Sequence, residues 1–193
     1  SGLQPARSRT AGGLSWRRRR ASAFQQALFG IFEISGRVIA EIHNPLHTKR
    51  VSPHVIAQFG EILQPGDAIV SRHDDAMSNL FLPGYWIHSS LHIGTEADRK
   101  RLGVKVDPHR ETRWVGPIRV LEARKDGVLL RPLHDTLRVD AVAVIRPKLN
   151  SEHLADALSR ALTHEGKLYD FEFDFFRSDR LVCTGVVYRG FDG

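Results

Sequence analysis

Cysteine is almost absent from this sequence. A single thiol, Cys183, in 193 residues rules out an intrachain disulfide and leaves the redox compartment open. Paired-cysteine spacings and an HExxH helix are missing, so the usual zinc patterns are absent and no metal or cofactor is expected. There is no GxSxG elbow for serine catalysis and no glycine-rich loop to cradle a phosphate. No apolar run approaches the roughly 18 residues that span a bilayer. The most apolar stretch, residues 24–42, is interrupted by Glu33, Arg37 and Glu41 and reads as an amphipathic helix. No compact apolar segment ends in a small-residue cleavage site, so no signal peptide is visible. Internal repeats are also lacking.

The composition is that of a globular chain, with 41% hydrophobic residues, and its length supports a core without staples. The formal charge is +6, but it is unevenly placed. Arg7, Arg9 and Arg17 to Arg20 supply six of the 28 basic residues, which leaves 22 against 22 acidic ones. The basicity belongs to a tail, so composition does not make the body a nucleic-acid binder. Residues 1–21 are therefore expected to be a disordered basic tail, 22–60 an N-terminal helical segment, and 61–193 the main domain.

Helical spacing covers residues 22–43 up to Asn44-Pro45, and a short helix is expected over 53–59. A turn at 63–67 leads to a strand at 68–71, and a polar loop at 72–84 leads to a strand at 86–94. Residues 96–102 look helical. Strands are expected at 118–123, 127–132 and 139–146, the first two joined through Lys125-Asp126-Gly127. A helix at 151–164 with Ser151 as N-cap follows, then an acidic–aromatic stretch at 169–176. The pattern is α+β, with helices flanking an antiparallel sheet.

Two side chains invite a chemical reading. Cys183, between Val182 and Val186, is either a small buried hydrophobe or a nucleophile, and only a neighbouring base can make it the second. His88 opens the segment Ile87-His88-Ser89-Ser90-Leu91-His92-Ile93-Gly94, where two small residues leave room for another segment to approach. Strand alternation puts His88, Ser90 and His92 on one side. His92 lies roughly 13 Å further along, too far to share an atom with His88.

Three groups of residues together resemble the NlpC superfamily, specifically its permuted papain-like YaeF/YiiX branch, related to lecithin retinol acyltransferase. Pro65-Gly66-Asp67-Ala68-Ile69-Val70 with His88 to Gly94 is similar to the family's first strand pair. Val120-Leu121-Glu122-Ala123, Gly127-Val128 and Val144-Ile145-Arg146-Pro147 follow in the family's order. Gly166-Lys167-Leu168-Tyr169-Asp170-Phe171, then Cys183-Thr184 and Val186-Val187-Tyr188, resemble its GKxYD segment and its cysteine-bearing helix. The order of histidine, acidic residue and cysteine is the permuted one.

The resemblance implies a papain-like fold with Cys183 on a C-terminal helix, Cys183 as nucleophile, His88 as general base and Glu122 as the orienting residue. It implies a cysteine amidase or acyltransferase working through a thioester on cell-wall peptide or lipid-linked amide or ester bonds, in a bacterial cell envelope or cytoplasm. Tyr85, Trp86, Phe171, Phe173, Phe175 and Phe176 are candidates to line the approach. Where the family commonly has Ser-Glu after the cysteine, this chain has Thr184-Gly185. That departure raises an alternative, an impaired member that binds peptide or lipid. On propensity, Cys-Thr-Gly-Val-Val is expected to make a short, frayed helix, with Gly185 costing about 1 kcal/mol against alanine. The arginine tail and the helix at 22–43 are expected to favour an anionic membrane surface.

Overall fold

A computed structural model describes residues 50–74, 85–112, 114, 116–171 and 178–192. The expected basic tail at 1–21 and the helix at 22–43 lie outside the described residues, as do most of the loop at 72–84 and Phe173, Phe175 and Phe176.

Thirteen elements follow one another among the described residues. Helix α1 (Pro53–Ile62) starts at Ser52 with proline in its first turn, where a missing N–H costs nothing. Strands β1 (Ala68–Arg72) and β2 (His88–His92) come next, then helices α2 (Glu96–Leu102) and α3 (Pro108–Glu111). Thr95 and Asp98 close a capping box on α2, and Gly103 ends it in the left-handed region. Strands β3 (Ile118–Arg124) and β4 (Gly127–Pro132), helix α4 (Leu133–Thr136), strand β5 (Ala141–Ile145) and helix α5 (Ser151–Leu162) follow. The chain then forms β6 (Leu168–Tyr169), β7 (Arg180–Leu181) and helix α6 (Cys183–Phe191).

The five long strands make one antiparallel sheet in the order β4-β3-β2-β1-β5. Alternation separates its two faces. Leu91, Ile93, Leu121, Ala123 and Val128 pack with Leu158, Ala161 and Leu162 of α5 and Val186 of α6. Ile69 and Val120 pack with Leu63 and Leu137, and with Ile56 and Phe59 of α1, on the other face. The sheet is therefore covered by helices on both sides, which is the α+β arrangement of a papain-like fold.

Three local expectations need correction. The cap of α5 is Asn150, whose side-chain oxygen accepts the His153 N–H at 2.8 Å; Ser151 is the first helical residue. Helix α1 runs to Ile62, beyond residue 59, because Ile56 and Phe59 are held against the sheet. Helix α6 forms over nine residues despite its weak propensity. Tertiary burial decides this: Val186 is fully buried, and Gly190 brings the helix so close to α5 that a Cβ there would lie 3.1 Å from the Ala161 Cβ.

Candidate active site

The site begins where two strands part. The paired residues of β2 and β3 are Leu91↔Leu121 and His92↔Val120, so His88 and Glu122 stand beyond the last rung of that ladder. Alternation puts both on the face of Val120, and side chains in the widening gap can meet. They do: His88 Nε2 lies 2.6 Å from Glu122 Oε1. The His88 side chain is 21% exposed and that of Glu122 is fully buried.

Glu122 is surrounded by donors. Arg124 Nε lies 2.8 Å and Arg131 Nε 3.3 Å from its Oε2, and Thr136 Oγ1 donates to the same oxygen at 3.3 Å. Burial alone would raise the pKa of this carboxyl. The hydrogen bond and charge of His88, with those of Arg124, outweigh burial and lower it to about 2.

Cys183 is the first residue of α6 and is 5% exposed. The helix sits on the sheet through Val186 in the cluster with Leu91 and Leu121, which brings its N-terminus beside the start of β2. The thiol lies 3.8 Å from the carbonyl oxygen of Ile87, the residue before His88. Nε2 is committed to Glu122, so Nδ1 is the ring nitrogen left to exchange a proton. Burial would push the thiol pKa up. The His88 hydrogen bond and charge, with the backbone N–H groups of Ser89 and Thr184, reverse that and lower it. For His88, burial works against the charged form, yet hydrogen bonds to Cys183 and Glu122 and their negative charges raise its pKa to about 10. His88 is thus biased toward its charged form by both Cys183 and Glu122, and each of those is biased toward its own by His88. A lowered thiol pKa is what a cysteine nucleophile needs.

The remaining motif residues hold the scaffold. Asp67, fully buried, caps the turn by accepting the Gln64 N–H at 2.8 Å and takes both arms of Arg146 at 2.8 Å each. Gly66 has φ +92, and a Cβ on it would run into Leu154. His92 fastens the same turn: its Nδ1–H donates to the Gln64 carbonyl oxygen at 2.9 Å, which fixes the tautomer of the neutral ring. Gly127 and Val128 meet the Gly166-Lys167 segment backbone to backbone: the Val128 N–H donates to Lys167 O at 2.8 Å and the Gly166 N–H to Val128 O at 2.8 Å. Among the described residues no three His, Cys, Asp or Glu side chains gather as metal ligands. Two surface cavities, one along Ile56, Arg119 and Leu133 and one along Arg110, Glu165 and Lys167, contain none of Cys183, His88 and Glu122.

Four neighbours of the site were not singled out from sequence. Arg124 follows Glu122 by two residues and so shares its strand face. Arg131 reaches that face because the hairpin sets it opposite Val120. His73 extends the alternation of Ile69 and Ser71; burial, then Arg50 and His88, lower its pKa. Tyr169 is raised by burial and by the charges of Cys183 and Asp170. Strand alternation and the two-residue turn at 125–126 carried enough information to place the arginines. Tyr169 lay in the segment that resembles the family's GKxYD stretch, which marked the segment but not its nearness to Cys183; His73 had no sequence signal.

Compared with family models, residues 62–192 match the family described as permuted papain-like amidase enzyme, YaeF/YiiX, C92 family. Searches of curated proteins and of solved structures found no match.

Proposed function

Because the chain belongs to the permuted papain-like amidase family of the YaeF/YiiX type, a family of amide-bond hydrolases, we propose that Cys183 is its nucleophile, His88 its general base and Glu122 the partner that orients His88. One observation supports this reading: the Glu122–His88 contact at 2.6 Å stands beside the Cys183 thiol, which lies 3.8 Å from the carbonyl oxygen of Ile87, the residue before His88.

The steps follow from that geometry. His88 Nδ1 takes the thiol proton, and the resulting imidazolium is held by Glu122 Oε1. The thiolate adds to the amide carbonyl carbon, and the C=O π electrons move onto oxygen. Helix α6 has no side-chain cap at Val182, so the backbone N–H of Cys183 is placed to donate to that oxyanion. Collapse of the adduct expels the amine, which takes the proton from His88, and a thioester remains. Water, deprotonated by His88, then attacks the thioester; the acid product leaves and the proton returns to sulfur.

The substrates that fit the family are cell-wall peptide amides and lipid-linked amides or esters, with a second nucleophile in place of water making the enzyme an acyltransferase. The arginine-rich residues 1–21 add an expected affinity for anionic vesicles, sensitive to salt and lost when they are deleted. The alternative, an impaired binding module, drew on Thr184-Gly185. A Cβ at Gly185 would meet Leu181 and Val182 at 3.5 Å, so that position is turned toward the strand before the helix, which favours the enzymatic reading.

The test is the pH dependence of Cys183 alkylation by iodoacetamide in the parent protein and in His88→Ala. Reactivity persisting well below pH ~8.5, the ordinary thiol range, and abolished by the substitution supports the proposal. A thiol that is inert, or that titrates in the ordinary range in both proteins, refutes it in favour of the binding module.

A further inference from the structure

Glu122 has more partners than an orienting residue requires. Oε1 faces His88, while Oε2 is held by Arg124 at 2.8 Å, with Thr136 and Arg131 each at 3.3 Å. Both arginines are themselves fixed. Arg124 donates a second time to the Asp135 carbonyl oxygen at 3.4 Å, and Arg131 pairs with Asp126 at 2.6 Å. Of the two, Arg124 Nε is the nearer cation to Glu122 Oε2, at 2.8 Å against 3.3 Å for Arg131 Nε.

The catalytic cycle explains why such a grip is needed. Each time His88 takes the thiol proton, its imidazolium carries one proton on Nδ1 and one on Nε2, the second facing Glu122 Oε1. A carboxylate with no exposed surface and no second cation gains by taking that Nε2 proton. That transfer would leave a neutral imidazole with its proton on Nδ1, a weaker acid toward the leaving amine and no base toward sulfur or water. A permanent cation on Oε2 prevents this.

We infer that Arg124 is a positioning residue of the amidase site: it holds Glu122 by Oε2 and keeps it ionised through the cycle, so that Oε1 remains the acceptor for Nε2–H and Nδ1 remains the base. The inference rests on the assignment of Cys183, His88 and Glu122 made above. Arginine cannot lose its own proton at any working pH, which suits it to the task.

The experiment compares Arg124→Met and Arg124→Lys with the parent protein, using iodoacetamide as the probe of Cys183 across pH 4 to 9, after circular dichroism has shown each variant folded. In Arg124→Met the acid limb of alkylation should move up by about one pH unit, with a roughly tenfold lower rate at the foot of the limb. Arg124→Lys, which keeps the charge, should return the limb most of the way to its parent position. An Arg124→Met limb that coincides with the parent's overturns the inference. So does a uniform loss at every pH that lysine does not rescue, since that is what a merely structural role would give. A parent protein without a His88-dependent limb fails the site assignment itself, and the inference falls with it.

Discussion

Glu122 carries a charge where water cannot reach it, and its neighbours explain both its ionisation and its role. With the carboxylate replaced in Glu122→Gln, the imidazolium loses its counter-charge and its fixed tautomer. Thiolate reactivity at neutral pH should fall by roughly 10²-fold or more, measured as the alkylation rate of Cys183; an unchanged rate would remove Glu122 from the mechanism. The same group links folding to pH. Its folded pKa, about 2, lies below the ordinary value of 4.5. Its contribution to stability is therefore complete above about pH 4.5 and is lost as the pH falls from there toward 2. Urea denaturation at pH 6 and pH 3 should show a loss for the parent protein, and a smaller loss for Glu122→Gln measured over the same interval.

At the scale of single elements, two glycines give opposite predictions. Gly185 lies inside α6 with ordinary contact distances around a virtual Cβ. Gly185→Ala should raise stability by about 1 kcal/mol, seen as a higher midpoint in thermal unfolding; a lower midpoint would mean that the close fit against Leu181 and Val182 outweighs propensity. Gly66 has φ +92 and faces Leu154, so Gly66→Ala should be destabilising by at least about 1 kcal/mol. The turn it belongs to is also fastened by Asp67. Asp67→Ala frees the Arg146 guanidinium and leaves the Gln64 N–H without its acceptor, and should cost roughly 1.5–3 kcal/mol in chemical denaturation. That loss should appear with little change in the alkylation profile of Cys183, because Asp67 holds the scaffold and does not touch the site. The β3–β4 hairpin was legible because its signal is local, a short turn at Lys125-Asp126-Gly127, and α2 was legible as a helical stretch that the structure finds closed by a capping box and Gly103. Helix α6 was legible only through the family resemblance, since its own propensity is weak; α5 and the sheet impose its full length.

Across the whole molecule, a five-stranded sheet with helices on both faces brings together residues that are far apart in the chain. Glu122 comes 34 residues after His88, and the thiol contacts a carbonyl 96 residues before it. The layer that carries α6 depends on one continuous cluster, with Leu158 fully buried at its centre. Leu158→Ala should cost about 2–5 kcal/mol in denaturant unfolding. It should also slow Cys183 alkylation at neutral pH, as α6 loses the support that seats its N-terminus against β2. A stability loss with an unaltered reaction rate would show that the helix is seated without that layer.

What the sequence determined by itself was local chemistry and order: one thiol, the His88 segment, the Pro65-Gly66-Asp67 turn, the hairpin, and the permuted succession of His88, Glu122 and Cys183. Together these identified the family and the three residues worth testing. The tertiary structure alone decided how they meet. It parted β2 from β3 so that His88 and Glu122 face each other, wrapped the carboxylate in Arg124, Arg131 and Thr136, and set α6 so that the thiol lies against the Ile87 carbonyl at the start of β2. The physical reason is the difference in range. Turns, caps and alternation depend on neighbours in the chain, whereas the ionisation of a buried carboxylate or thiol depends on charges within a few ångströms in space, wherever the chain supplies them.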